Sequence, residues 1–159
     1  MKSITNFAEE QHQFLANIYP ERVNFTYDGI EYRNFETAYQ SQKMQKMEDR
    51  CHVAKMHPLD AKAYASNHLS RKGWNKPFTE EDERPSELCT CLKDKVMYEL
   101  LLIKFSHPEL KSQLLATGNA FINKENNQGE IYWGTCKGIG QGKIGQMLME
   151  IRAHLAAKE

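Results

Sequence analysis

The sequence predicts an α+β fold: a mostly helical single domain over residues 1–159 with a small antiparallel β-hairpin. Three observations lead there. Val23-Asn-Phe-Thr-Tyr-Asp-Gly-Ile-Glu-Tyr32 alternates apolar and polar residues around Asp28-Gly29. Asp-Gly between alternating segments marks a two-residue hairpin turn, because both central residues need positive φ. Elsewhere apolar residues recur at helical period, as in Val96, Leu100 and Ile103 with Met97, Leu101 and Phe105 beside them. Finally, no internal repeat, low-complexity tract or linker divides the chain, and 159 residues suffice for one core.

The helices follow in order. Asn34 can cap a helix on which Phe35, Tyr39 and Met47 share one spacing. Its other face carries Glu36, Gln40 and Lys43 at i, i+4 and i+7. Pro58 suits the first turn of a short second helix through Asn67. Trp74 lies in Arg71-Lys-Gly-Trp-Asn-Lys-Pro, a loop by its glycine and proline, and the acidic stretch from Phe78 to Pro85 reads as exposed. Leu92 to Phe105 is a strong helix that His107-Pro108 ends. Pro108 opens another through Leu110, Leu114 and Leu115, stopped at Thr117-Gly118. Ile144, Met147, Leu148, Ile151 and Leu155 form one face of a last helix.

Composition narrows the function classes. Lys+Arg and Asp+Glu both number 21, so the formal charge is zero. That argues against bulk nucleic-acid binding, which needs a basic surface, but leaves action on a nucleotide or single base open. No apolar run of about 18 residues is present, so no membrane span is expected. Met1-Lys-Ser-Ile-Thr-Asn lacks an apolar signal core, so a cytoplasmic protein is expected, with Cys51, Cys89, Cys91 and Cys136 reduced. The cysteines lack zinc spacing, and no metal site is expected.

One stretch points to chemistry: Glu130-Ile-Tyr-Trp-Gly-Thr-Cys-Lys-Gly-Ile-Gly-Gln-Gly-Lys-Ile-Gly145. Gly138, Gly140 and Gly142 would let backbone approach a ligand. A glycine-rich loop feeding a helix start offers N–H groups and partial positive charge to a phosphate. The chain runs out too soon after that helix for a dinucleotide-binding unit to be expected.

Motifs then fall in an order that resembles the NADAR family. They are Phe14-Leu-Ala-Asn-Ile-Tyr-Pro, Tyr27-Asp-Gly-Ile-Glu-Tyr, Phe35-Glu-Thr-Ala-Tyr-Gln-Ser-Gln-Lys, Pro58-Leu-Asp-Ala-Lys, Lys104-Phe-Ser-His-Pro-Glu-Leu with Leu114-Leu-Ala-Thr-Gly, Tyr132-Trp-Gly, and Gly145-Gln-Met-Leu-Met-Glu-Ile-Arg. The resemblance runs from about Phe14 to Leu155. It implies a mainly helical α+β fold and hydrolysis of an N-glycosidic bond between a ribose and a base or amine. The substrate classes it implies are phosphorylated ribosylamino-pyrimidine intermediates of riboflavin biosynthesis and ADP-ribosylated guanine in nucleic acids. It implies no metal and no dissociable cofactor.

Carried over residue by residue, the resemblance puts Glu36, Gln40 and Lys43 on the family's E-x-x-x-Q helix and its lysine. Asn17 sits on the asparagine of an F-x-N motif, Lys62 on the lysine of P-x-x-A-K, and Trp133 and Gly134 on the Y-W-G motif. Glu125 stands where related members carry an acid, although Lys124 could occupy that place instead. Three departures bear on substrate choice and activity. Thr37 replaces a frequent histidine, Glu130 stands for an aspartate, and Gly142 for an asparagine.

Cleaving a ribosyl C–N bond builds positive charge on the sugar, so the candidate catalytic residues are the carboxylates Glu36, Glu130 and Glu125, in that order. Trp133, Trp74 and Tyr39 are candidates for stacking the base, and Lys62 and Lys43 for the phosphate. Asn17, Gln40, Gly134, Gly140 and Gly142 complete the expected substrate contacts. The alternatives are a module that binds ADP-ribose or a nucleotide without cleaving it, and a helical partner-binding domain with no small ligand.

Overall fold

The computed structural model describes residues 2–159. Their order is β1 (Ser3–Ile4), a 3-10 helix (Glu10–Leu15), β2 (Phe25–Tyr27), β3 (Ile30–Tyr32), α1 (Phe35–Gln42), α2 (Met47–Val53), α3 (Pro58–Ser66), α4 (Leu92–Lys104), α5 (Pro108–Ala116), β4 (Phe121–Ile122) and α6 (Lys143–Ala157). This is the helix-rich α+β class that the sequence predicts. The residues gather into two compact units: Asn17–Lys104, and Phe105–Glu159 together with the segment ending at Ala16. Among the described residues no helix is long and apolar enough to cross a membrane.

In the unit of Asn17–Lys104, β2 and β3 form the expected hairpin, with Tyr27 opposite Ile30 and Phe25 opposite Tyr32. Asp28 and Gly29 turn it at φ 53° and 73°. Next comes α1, which packs against β3, α2, α3 and α4. Asn34 caps it, its Oδ1 accepting from the N–H groups of Glu36 (2.9 Å) and Thr37 (3.2 Å). The Asn34 amide nitrogen also donates to the carbonyls of Ile18, Pro20 and Glu21 at 2.9, 3.3 and 3.2 Å. One buried asparagine thus ties the preceding loop to the helix start.

The helix expected to run through Met47 stops at Gln42, and α2 begins anew at Met47, which is 49 % exposed. The intervening carbonyls have other partners. Arg71 N–H donates to Lys43 O at 2.6 Å, Arg50 Nε to Met44 O at 2.8 Å, and Arg50 Nη2 to Gln45 O at 3.1 Å. A buried guanidinium from the next helix therefore does what continued helix would have done. Met44 turns inward to a cluster with Val53, Ala61 and Ala65.

In the other unit, α6 packs on α5 and β4, and α5 also meets the 3-10 helix. The parallel pair β1–β4 sets Ser3 beside Phe121 and Ile4 beside Ile122. The sequence reading holds neither this pair nor the 3-10 helix, because two-residue strands and a short turn carry no periodicity. Arg152 on α6 donates to Thr117 Oγ1 at 2.9 Å.

Candidate active site

In the first unit the chemistry-bearing residues lie on α1. Every residue of α1 except Glu36 is buried. Burial of so polar a helix is sustained by hydrogen bonds. Ser41 Oγ donates to Arg50 O at 2.8 Å and lies 2.7 Å from Tyr32 Oη, Gln42 Nε2 donates to Tyr32 Oη at 2.9 Å, and Thr37 Oγ1 donates to Met56 O at 3.2 Å. The face of Glu36, Gln40 and Lys43 is accordingly no solvated stripe: Gln40 is 3 % exposed and Lys43 half-buried.

Gln40 Nε2 donates to Glu36 Oε1 at 2.7 Å. A carboxylate only accepts, so the amide nitrogen faces Glu36 and Oε1 faces away. That Oε1 is buried and has no hydrogen-bond partner among the described residues. Lys43 Nζ stands 5.1 Å over the Tyr39 ring, and the Tyr39 and Trp74 rings are 5.7 Å apart. Burial holds the Lys43 ammonium below the usual lysine range. Glu36 pulls it back up, while Lys62 and Lys93 push it further down. Glu36, Gln40, Lys43, Lys62 and Tyr39 therefore share one electrostatic neighbourhood, to which Lys93 is an addition the motifs did not flag. Trp74 is 3 % exposed and forms the wall behind Tyr39. Asn17 Nδ2 donates to Met97 Sδ at 3.3 Å. Lys62 is exposed on α3.

In the second unit the loop from Glu130 to Gly142 has a structure the sequence did not foretell. Glu130 Oε2 accepts from Tyr132 N–H (2.8 Å) and Trp133 N–H (3.0 Å), and Oε1 from Gly134 N–H (2.8 Å). Asn126 holds Glu130 in turn: its Oδ1 accepts from Glu130 N–H at 3.0 Å and its Nδ2 donates to Glu130 O at 2.8 Å. So the Glu130 carboxylate anchors the Tyr-Trp-Gly turn, and Asn126 is a loop-shaping residue found only in the structure. The signal available for it was an asparagine in a turn-rich stretch, which is common.

The free N–H groups expected at the start of α6 are already engaged. Gln141, Gly142, Lys143 and Ile144 donate to the carbonyls of Ile131, Gly134, Tyr132 and Trp133 at 2.8, 3.1, 3.3 and 3.0 Å. This corrects the reading of the loop as an open phosphate cradle. The glycines serve closure. Gly138, with Lys137, makes a tight turn between Cys136 and Ile139. Gly140 has φ 139°, and a Cβ there would lie 2.6 Å from Gly134 O. A Cβ on Gly134 would collide with the Lys124 carbonyl. Gly142 caps α6 in the left-handed region, φ 59°, where asparagine is also tolerated. Trp133 is half-buried and edge-on to Tyr132, ring centres 4.9 Å apart. Lys143 Nζ sits 5.0 Å over the Tyr132 ring. Glu125 is exposed, beside Thr135 in a parallel bridge.

Among the described residues no group of His, Cys, Asp or Glu could hold a metal ion, and the four cysteines are free. A sequence model described as the NADAR domain matches residues 5–156. Over 70 residues the chain is 39% identical to the N-glycosidase YbiA of Shigella boydii serotype 4 (strain Sb227) and to that of Escherichia coli (strain K12), which is 43% of this chain and 43% of each relative. The match thus spans less than half the length of those curated relatives. The NMR structure of the E. coli protein YbiA is similar over 99% of this chain and 88% of that one, with TM-score 0.74 and 26% identity.

Proposed function

Because the chain belongs to the NADAR domain family, we propose that it is an N-glycosidase, a hydrolase that splits the bond between a ribose carbon and the nitrogen of a base or amine. The observation that carries this reading is the Glu36–Gln40 pair with its unpartnered Gln40 carbonyl. A buried acceptor left empty costs on the order of 1–3 kcal/mol. Glu36, the partly exposed member of this pair, is the group a substrate would meet. The names of the curated relatives, N-glycosidase YbiA, support the same class.

In this mechanism the C–N electron pair leaves with the base nitrogen, which takes up a proton, while positive charge gathers on the sugar. Water adds to the anomeric carbon and gives up a proton, so free sugar and free amine result. Glu36 faces the developing cation and stabilises it or accepts the proton from water. Gln40 orients Glu36, and Lys43 and Lys62 bind the phosphate of the ribosyl group. The proposed substrates are ribosylaminopyrimidine phosphates of riboflavin biosynthesis or ADP-ribosylated guanine, met in the cytoplasm.

The test is incubation with a ribosylaminopyrimidine phosphate and with ADP-ribosylated DNA, followed by chromatography. Release of free amine, or of ADP-ribose, that disappears in Glu36→Gln supports the enzyme. Tight binding without turnover of either substrate overturns it in favour of a nucleotide-binding module.

A further inference from the structure

We propose that a cavity of about 430 Å³ in the unit of Asn17–Lys104 binds a small ligand bearing a diphosphate. Glu21 and Arg22 before β2, Arg33 after β3, Thr37 on α1, and Lys55 and His57 between α2 and α3 line it. Glu36, Gln40 and Lys43 do not, so this inference stands apart from the reaction proposed above.

The charge is uneven. Three exposed cations, Arg22, Arg33 and Lys55, line the cavity with one carboxylate, Glu21. The chain as a whole carries 21 cationic and 21 anionic side chains, so the excess is local. The ion pairs His12–Glu9, Arg50–Asp28 and Lys111–Glu159 use none of these three cations. Two arginines suit paired phosphate oxygens, because a planar guanidinium donates in a fork.

The cavity is held open by bonds already in place. Val23 N–H donates to Arg33 O at 2.9 Å, and Asn34 fixes the carbonyls of Ile18, Pro20 and Glu21. His57 Nδ1 accepts from Leu59 N–H at 3.2 Å, which places the ring proton on Nε2 and makes that nitrogen a further donor. The first-turn N–H groups of α1 are capped by Asn34, so recognition falls to the side chains. The volume lies in the range of small-molecule sites, roughly 300–1,000 Å³. A neighbouring cavity of about 1020 Å³ along the hairpin shares Arg33, Ala54 and Lys55, which leaves room for the organic part of the ligand.

The experiment is a titration of the full chain with pyrophosphate and, separately, orthophosphate, followed through backbone amide resonances. Saturable shifts are expected at Arg22, Arg33 and Lys55, with pyrophosphate binding about tenfold or more tighter than orthophosphate. Arg33→Gln with Lys55→Gln weakens binding by at least about tenfold, and Arg22→Gln, on a different segment, weakens it independently. Glu36→Gln and Lys62→Gln leave it unchanged, so loss of glycosidase activity and loss of this site are separable. The proposal is overturned if shifts do not saturate, if they centre on Lys43 and Lys62, or if a single-stranded oligonucleotide saturates these residues where pyrophosphate does not.

Discussion

Gln40 donates to Glu36 across one helical turn at 2.7 Å, from a side chain that is 3 % exposed. A short bond from a buried amide leaves the Glu36 carboxylate little rotational freedom, so the acid is oriented before any substrate arrives. Replacing Glu36 with Gln should lower kcat by about 10²–10⁴-fold with an unchanged melting temperature. An activity loss matched by a loss of fold would instead make Glu36 structural.

Gln40→Glu sets a second carboxylate against the first. Like charges this close raise the pKa of one partner. The acid limb of the pH–rate profile should therefore move to higher pH, whereas Gln40→Met should lower activity without moving that limb. Profiles of kcat against pH for the two variants separate orientation from charge.

Glu130 makes three bonds to backbone N–H groups of residues 132, 133 and 134. Glu130→Ala leaves these donors without their partner and should cost about 1–3 kcal/mol of stability. The chain has two tryptophans, so in a Trp74→Phe background the emission of Trp133 should shift red in Glu130→Ala. An unshifted spectrum and an unchanged unfolding midpoint would show that the clamp is dispensable.

Lys43→Met and Lys62→Met should each raise KM for a phosphorylated substrate, by about tenfold, with a smaller effect on kcat. Raising salt should shrink the difference for the exposed Lys62 more than for the half-buried Lys43. Equal salt responses would argue that neither touches a phosphate.

Lys104 lies fully buried, 5.9 Å from the centre of the Phe35 ring, and burial brings its ammonium down to about 7. Its folded pKa lies below the unfolded value, so between about pH 7 and 10 the unfolded chain binds more protons. This group therefore makes stability rise with pH through that window, and its penalty is fully present below pH 7. The stability of Lys104→Met relative to the parent should improve as pH falls from 9 to 7, as read by denaturant unfolding at both. An equal difference at the two values would sink the assignment.

Much of the site was readable because local rules governed it. Asp28-Gly29 had to turn, Asn34 could cap, and the spacing of Glu36, Gln40 and Lys43 put them on one face. The loop after Glu130 was misread for a physical reason. Glycines and a helix start are the same letters whether the N–H groups face a phosphate or the carbonyls of Ile131 to Gly134. Asn126, Lys93 and the clamp role of Glu130 depend on side-chain bonds whose geometry leaves no periodic trace. The early end of α1 is of the same kind, since it depends on a guanidinium reaching back from Arg50.

By itself the sequence determined the class of fold, the hairpin and the order of the long helices, because periodicity and turn chemistry act between residues a few positions apart. Tertiary structure alone decided which polar groups are spent and which stay available. Glu130 and the first N–H groups of α6 are consumed by neighbouring backbone, while the Gln40 carbonyl and the cations Arg22, Arg33 and Lys55 are not. Availability is a property of what surrounds a group in space, and desolvation with hydrogen-bond pairing sets it.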